Sequence, residues 1–490
     1  MSSDAIDPKF RRRVTGLAIA AAVGGFLFGF DSSVVNGAVD AIGKQIVEPA
    51  VSGPAFDFVK GFVVAVALLA SALGAWIAGG LADRWGRPRV MLVGAILFFL
   101  SAIGAGLSQT IWDLMLWRVI GGIGIGIASV IAPAYIGEVA PKGVRGGLAS
   151  LQQLAITIGI LVALVSDAAW NAAAGNNPVN AVWLNLGGWR WMFIVGVIPA
   201  IVYGFLALRI PESPRYLLLV GRRDEAQRVF STIMPKEEID GAIGDIERGI
   251  AEDKKNAKAS LRGPALGLNP IVWIGIILSV FQQFVGINVV FYYSNSLWTA
   301  VGLGAQASLL SVLSGVVNVA VTFIAIALVD RIGRRLLLLV GSIGMALTLG
   351  LEAVAFSFAT LHNGQLTLPT SWAVVSVVAA NVFIIAFGAT WGPLVWVLLG
   401  EIFPSRIRAR ALGVAAAAQW IANFIISETF PPLSAWSLPW TYTIYAGFAA
   451  ASFFFVLWVV PETKGVALER TEDLFLRENR PGRRRARQSA

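Results

Sequence analysis

The sequence predicts an all-α membrane protein of twelve transmembrane helices, in two six-helix halves with short helices between them. Three observations carry that class. The first is composition: of 490 residues, 57% are hydrophobic and only 14% charged, with a mean hydropathy of +0.73, whereas soluble domains hold roughly 25% charged residues. The second is a set of twelve apolar runs of about 20 residues, the length that crosses a hydrocarbon core. They centre near residues 27, 70, 98, 124, 158, 200, 283, 318, 346, 385, 419 and 449. The third is internal repetition: "DRWGRPR" at Asp83 returns as "DRIGRRL" at Asp330, "EVAPKGVRG" at Glu138 as "EIFPSRIRA" at Glu401, and "PESPR" at Pro211 as "PETKG" at Pro461. The expected organisation is a first half at 1–210, a linker at 211–264, a second half at 265–460 and a basic tail at 461–490.

Orientation follows from Lys and Arg, which collect at the cytoplasmic ends of short loops. With the N-terminus inside, the internal segments hold Lys9, Arg11 to Arg13, Arg84, Arg87, Arg89, Lys142, Arg145, Arg331, Arg334, Arg335, Arg406, Arg408, Arg410 and Arg483 to Arg485. The external loops hold little beyond Lys44, Lys60 and Arg190, so both termini are expected in the cytoplasm. The net charge of +9 is thereby a topology signal and gives no support to nucleic-acid binding, which needs a basic patch on a soluble domain. "KFRRR" before the first run has the look of a secretion signal, but eleven more runs follow and the segment reads as an uncleaved helix. Cysteine is absent and His362 is the only histidine, in an expected external loop, so no thiolate or His-cluster metal site is expected.

Taken in order, the first span places Asp31 inside "LFGFDSSVVNG" and the fourth places Arg118 at the start of "LWRVIGGIGIGIAS". A charge at mid-bilayer costs ~2.5 to 3.5 kcal/mol on insertion scales, so each invites a function and a partner. An ion pair between Asp31 and Arg118 reduces both penalties, and protonating the acid would loosen it and change how the two helices pack. The alternative is a fixed structural pair, although apolar packing could replace such a pair at little loss. "GGIGIG" after Arg118 lies in a span and opens no strand-turn-helix unit, so it reads as close helix packing. The linker carries Ala226, Val229, Phe230 and Ile233 on one helical face and Ile239, Ile243, Ile246 and Ile250 on another, predicting short amphipathic helices.

Uncharged amides dominate the polar residues of the other spans. The fifth holds Gln152 and Gln153, the seventh Gln282, Gln283, Asn288, Tyr292 and Tyr293, the eighth Asn318, and the eleventh Gln419, Trp420 and Asn423. Asn288 and Tyr292 share a helical face; Gln282 and Gln283 join it only if the helix bends, which Gly286 permits. In the tenth, Gly392 and Pro393 are expected to break the helix between Trp391 and Trp396. Glu352 in the ninth is expected near the outer end, in a solvated or cavity-facing role, and Trp112, Trp183 and Trp191 in an interfacial belt. Singly, each amide is explained by an interhelical hydrogen bond. Collectively they offer donors and acceptors together, which suits a neutral ligand rich in hydroxyls, a sugar. The bent or charged helices are the first, fourth, seventh and tenth, the leading helix of each three-helix unit in a transporter built from repeats. The "DRxGR" loops, with Glu138, Arg145, Glu401 and Arg408 at the same face, read either as positive-inside anchors or as charge networks that latch the halves.

"GGLADRWGR", "RVIGGIGIG", "PESPRYL", "FQQFVGINVVFYY", "DRIGRR" and "PETKG" together resemble the sugar porter family of the major facilitator superfamily across nearly the whole chain. The likeness is greatest to bacterial proton-coupled monosaccharide symporters. It implies the major facilitator fold, an inner-membrane location, a monomer in the lipid bilayer, a monosaccharide substrate, the proton as coupling ion and no other cofactor or metal. It places sugar-binding positions on Gln153, Gln282, Gln283, Asn288, Asn318, Trp396, Gln419 and Trp420, and an aromatic lining on Phe28, Tyr292 and Phe387. The proton-coupling pair falls on Asp31 and Arg118, and the cytoplasmic gate on Arg84, Glu138, Arg145, Arg331, Glu401 and Arg408. Ile160 stands where pentose carriers of the family can place another amide, which favours a hexose such as glucose. A facilitative uniporter with the same site, and a non-transporting sugar sensor, are the alternatives; the short tail after Pro461 weighs against the sensor.

Overall fold

The structure is a computed structural model that describes residues 8–53, 55–141, 145–256, 260–362, 365–403 and 407–462, without the side chains at 145–147, 149, 252–256, 327–331, 361–362, 365–366 and 408–409. Twelve helical segments are long and apolar enough to cross a membrane, as the apolar runs require. Those of the first part are α1 (Pro8–Ile42), α2 (Ala55–Trp85), α3 (Arg87–Leu107), α4 (Ile111–Val139) and α5 (Arg145–Ala173). A hairpin of β1 (Ala181–Trp183) and β2 (Leu186–Gly187) leads to a sixth span made of α6 (Gly188–Ile194) and α7 (Val197–Arg209). The linker forms α8 (Pro214–Leu219), α9 (Arg223–Phe230) and α10 (Lys236–Asn256). Its apolar stripes behave as expected: Ala226, Phe230, Ile233, Ile239 and Ile243 are buried, while Val229, Ile246 and Ile250 are half-buried.

The seventh span is α11 (Pro270–Phe284) and α12 (Ile287–Ala300), followed by α13 (Ala307–Ile332) and α14 (Arg334–Ser357). A hairpin of β3 (Thr360–His362) and β4 (Gln365–Thr367) holds His362, whose side chain lies outside the described residues. The tenth span is α15 (Thr370–Gly388) and α16 (Trp391–Ile402), and α17 (Arg408–Trp436) and α18 (Leu438–Val459) complete the set. The chain divides into two compact units, one of Met1–Ala257, Phe291–Thr299 and Leu303–Val319, the other of Lys258–Val290, Ala300–Gly302 and Ala320–Ala490.

Backbone chemistry fixes the two functional breaks. Gly286 takes φ +83°, a conformation that glycine reaches without strain, and a Cβ there would stand 2.7 Å from the Tyr445 ring. The seventh span bends where that glycine allows. The tenth breaks three residues earlier than expected, at Ala389 and Thr390, and Trp391, Gly392 and Pro393 open α16 together. A proline in the first turn loses no intrahelical bond, because those N–H groups have no acceptor in any helix. Pro393 therefore begins a helix where the sequence suggested that it would end one.

"GGIGIG" packs its helix closely, as expected: Gly122 lies against the Ala67 carbonyl and Gly126 against that of Ser71, so α4 runs in contact with α2. α1 and α5 meet along a similar seam, with Gly29 against the Ile156 carbonyl and Gly159 against that of Phe26. Trp112 and Trp183 are exposed as an interfacial belt requires, but Trp191 is buried, stacked between Trp170 and Trp183 at ring separations of 5.4 and 4.9 Å. Glu352 likewise departs from expectation. Near the end of α14, it is only 2% exposed and so is not solvated.

Candidate functional site

The first unit brings Asp31 and Arg118 together. Both side chains are buried, and Arg118 Nη1 donates to Asp31 Oδ2 at 3.1 Å. Arg118 Nη2 reaches the Val64 carbonyl on α2 at 3.5 Å, Nε has no partner, and the guanidinium sits 5.9 Å from the Phe193 ring centroid. Only one carboxylate oxygen is engaged, so this is a single-point ion pair and not the two-bond fork that arginine and carboxylate can form. Beside it lies a cavity of about 10 Å³, room for about one water, lined by Ser32, Val35, Val64, Ala67, Leu68, Arg118, Ile125 and Tyr292. Four of the expected sugar positions belong to this unit: Tyr292 and Asn318 are buried, and Phe28 and Gln153 are half-buried.

The second unit assembles the amides. Gln282 Nε2 donates to the carbonyls of Trp391 and Gly392 at 3.2 and 3.0 Å, tying α11 to the start of α16. Gln282 Oε1 accepts from Gln419 and from Gln283 Nε2, the latter at 3.3 Å, and Asn288 Nδ2 donates to Gln283 Oε1 at 2.6 Å. Four expected positions thus form one hydrogen-bonded chain across α11, α12 and α17. Trp420 is buried, Phe387 is half-buried, and Trp396 is 45% exposed. Trp391 is fully buried, its indole donating to the Leu338 carbonyl and Ser342 Oγ, both at 3.0 Å, which makes it a wedge that fixes α16 on α14.

The repeated loop motifs fold into matching charge networks, one in each unit. In the first, Arg87 Nε and Nη2 both donate to Glu138 at 2.9 Å, Asp83 lies 3.2 Å from Arg87 Nη1, and Glu212 accepts the backbone N–H of Arg87 and Ser213 at 3.0 and 2.8 Å. In the second, Arg334 pairs with Glu401 at 3.1 Å, and Glu462 accepts the backbone N–H of Arg334 and Arg335, each at 3.0 Å. The motif glycines explain themselves: Gly86 and Gly333 take φ +90° and +107°, and a Cβ on either would run into Glu212 or Glu462. The carboxylate of "PES" or "PET" therefore caps the helix that the "DRxGR" loop opens, where anions are favoured. Burial pushes the Glu212 carboxyl above the usual range, against the pull of those two N–H groups and Arg87. Of the expected gate residues, Glu138 and Glu401 lie in these networks and Arg84 is exposed, its motif partner Arg87 making the pair instead. The side chains of Arg145, Arg331 and Arg408 lie outside the described residues.

Two sets of polar residues were not singled out from the sequence. At the far end of α1, in the first unit, Asn36 donates to Ser294 Oγ at 2.9 Å and accepts from the Asn295 N–H at 3.0 Å. Asp40 accepts from Lys60 Nζ at 2.7 Å and from Ser296 Oγ at 2.9 Å, and Ser311 bonds Ser294 and Asn295 at 2.7 and 2.8 Å. Short polar residues near span ends give little signal in a sequence. The second set is two further buried acids, Asp167 on α5 and Glu428 on α17. The rule that found Asp31 applies to Asp167 and Glu428 equally, but both stand near the ends of their apolar runs. Among the described residues, no group of three or more His, Cys, Asp or Glu could hold a metal ion.

The chain is similar to known proteins along nearly its whole length. Residues 17–475 match the family described as "Sugar (and other) transporter". The chain is 49% identical over 470 residues to the glucose transport protein of Synechocystis sp., covering 96% of this chain and 98% of that one. It is 35% identical to the D-xylose-proton symporter of Escherichia coli K12, covering 94% and 96%. An inward open structure of the xylose transporter XylE from E. coli superimposes with a TM-score of 0.80 at 33% identity, covering 94% of this chain and all of that one. A second structure, of the major facilitator superfamily proton:xylose symporter XylE bound to 6-bromo-6-deoxy-D-glucose, gives 0.78 at 34% identity, covering 95% and 99%. With its twelve spans, its repeated charge networks and these likenesses, the chain belongs to the sugar (and other) transporter family and has the major facilitator fold.

Proposed function

We propose that this chain carries a monosaccharide, glucose before xylose, across a bacterial plasma membrane together with a proton, by alternating access. The observation that carries the reading is the buried Asp31–Arg118 pair, held by one hydrogen bond and leaving the second carboxylate oxygen open to a proton. Taking that proton cancels the attraction without first tearing a two-bond fork. The glucose transport protein of Synechocystis and the D-xylose-proton symporter of E. coli support both the cargo and the coupling ion. The sugar hydroxyls are assigned to Gln282, Gln283, Asn288 and Gln419, which must exchange bonds among themselves for bonds to the ligand. The same role is assigned to Gln153, Asn318 and Trp420, with Phe28, Tyr292, Phe387 and Trp396 covering the apolar face of the ring. The protein works as a monomer with both termini in the cytoplasm, catalyses no covalent chemistry and needs no cofactor beyond the proton. Its halves are 1–210 and 265–460, and Arg84, Glu138, Arg145, Arg331, Glu401 and Arg408 serve the cytoplasmic gate.

Purified protein in liposomes tests this. Labelled glucose should accumulate above its external concentration when the outside is more acidic than the lumen, and Asp31→Asn should abolish accumulation while sugar exchange continues. Equilibration without accumulation by the wild type makes the protein a uniporter, and binding without exchange makes it a sensor.

A further inference from the structure

Asp167 has no place in the scheme above, and its surroundings are unusual for a carboxyl. The residue is 2% exposed on α5, Oδ2 accepts the Gly37 N–H of α1 at 3.1 Å, and Oδ1 has no partner among the described residues. The fit is close: a Cβ on Gly37 would stand 2.8 Å from both Asp167 Cβ and Met192 Sδ, so α1, α5 and α6 pack tightly where the carboxyl meets Gly37. Among the described residues, the charged groups on the helices packed against α5 pair elsewhere or, like Lys9, Arg11, Arg12 and Arg13, lie at the opposite end of α1 from Gly37. On α1, Asp31 holds Arg118 of α4 and Asp40 holds Lys60; on α4, Asp113 caps Thr110 and Glu138 pairs with Arg87; on α6, Arg190 donates to the carbonyls of Gly106 and Ser108. No cation acts on Asp167 among the described residues.

An anion sealed in an apolar seam with one neutral donor and no counter-charge is so unfavourable that the group neutralises instead. We propose that Asp167 is a second proton-binding carboxyl of this chain, distinct from Asp31, and that its proton holds the far end of α1 against α5. As a neutral acid it accepts from Gly37 through one oxygen and carries the proton on the other. As an anion it needs water, and water reaches it only when α1 and α5 part. Gly37 adjoins Asn36, which bonds Ser294 and Asn295, so the proton on Asp167 also steadies that network.

The test uses the full chain in lipid nanodiscs, without sugar or a proton gradient, so its outcome is separate from that of the transport test. Infrared spectra at neutral pH should show the carbonyl stretch of a protonated carboxyl that Asp167→Asn removes and Asp31→Asn keeps. With 13C-aspartate in the Asp31→Asn chain that band should shift, an arm that stands even where Asp167→Asn does not fold. In hydrogen–deuterium exchange, protection of residues 36–42, corrected for base catalysis, should fall about tenfold per pH unit once the proton is lost. Asp167→Asn, which is permanently neutral, should keep its protection. Absence of an isotope-shifted acid band overturns the proton-binding assignment, and equal pH dependence of protection in the two chains overturns the link to α1.

Discussion

The polar interiors of the two units solve the problem of buried polarity in different ways. The first opposes two full charges, Asp31 and Arg118, through a single contact. The second spreads partial charges along the amide chain of Gln282, Gln283, Asn288 and Gln419, where Gln282 and Gln283 both donate and accept while Asn288 and Gln419 donate from either end. A charge pair changes state when a proton arrives, and an amide chain changes state when a hydroxyl replaces a neighbour. The difference teaches that ion and cargo can be read by separate chemistry, one group titrating and the other exchanging partners.

Breaking the charge pair from one side has the largest expected effect. Arg118→Leu leaves Asp31 uncompensated, and removing one partner of a buried pair costs about 3–5 kcal/mol. Thermal unfolding in detergent should show that loss, smaller at acid pH where the carboxylate is neutralised, and Asp31→Asn in the same chain should recover most of it. Equal stability of Arg118→Leu and wild type would mean that the pair is not closed in solution. Next comes the amide chain: Gln282→Leu strands two carbonyls and removes the acceptor shared by Gln283 and Gln419. About 2 kcal/mol, or roughly thirtyfold in sugar affinity, is expected from the unpaired polar groups, read by equilibrium binding, with proton coupling through Asp31 retained.

Smaller effects sharpen the comparison. Gly286→Ala forces a side chain into positive φ against the Tyr445 ring and should lower stability by about 1–2 kcal/mol, with weaker sugar binding because the bend sets Gln283 beside Asn288. Glu212→Gln is the mildest. Burial raises the native carboxyl above its unfolded value, so the stability tied to its proton is fully present below the unfolded value and is lost as pH rises through the native one. Wild-type stability should therefore decline over that window, by only a fraction of the roughly 1.4 kcal/mol per pH unit that a fully buried carboxyl allows because solvent screens a part-exposed one, and Glu212→Gln should show a flatter profile in thermal melts. Parallel profiles would show that Glu212 does not titrate there.

Much of this was legible in the chain because bilayer thickness imposes run length and bilayer polarity penalises stray charge. The twelve spans and the Asp31–Arg118 pair follow from those two constraints, the Gly286 bend from glycine's free backbone and the linker helices from apolar periodicity. The break in the tenth span was misplaced because Pro393 is compatible with a first helical turn as well as with an ending. Arg87 and Arg334 were not separated from their neighbours Arg84 and Arg331, since only the folded loop shows which guanidinium faces Glu138 or Glu401. Glu352 and Trp191 were misjudged because depth along a helix axis is readable from sequence, but the facing helix is not.

The central claim is that the proton on Asp31 moves with the sugar. The direct measurement is proton movement itself, in liposomes with equal pH on both sides and a pH-sensitive dye outside. Adding glucose to wild-type vesicles should make the external medium more alkaline as protons enter with the sugar. Asp31→Asn vesicles should exchange glucose with no change in dye signal. A wild type that fills with glucose while the dye stays constant would contradict the account.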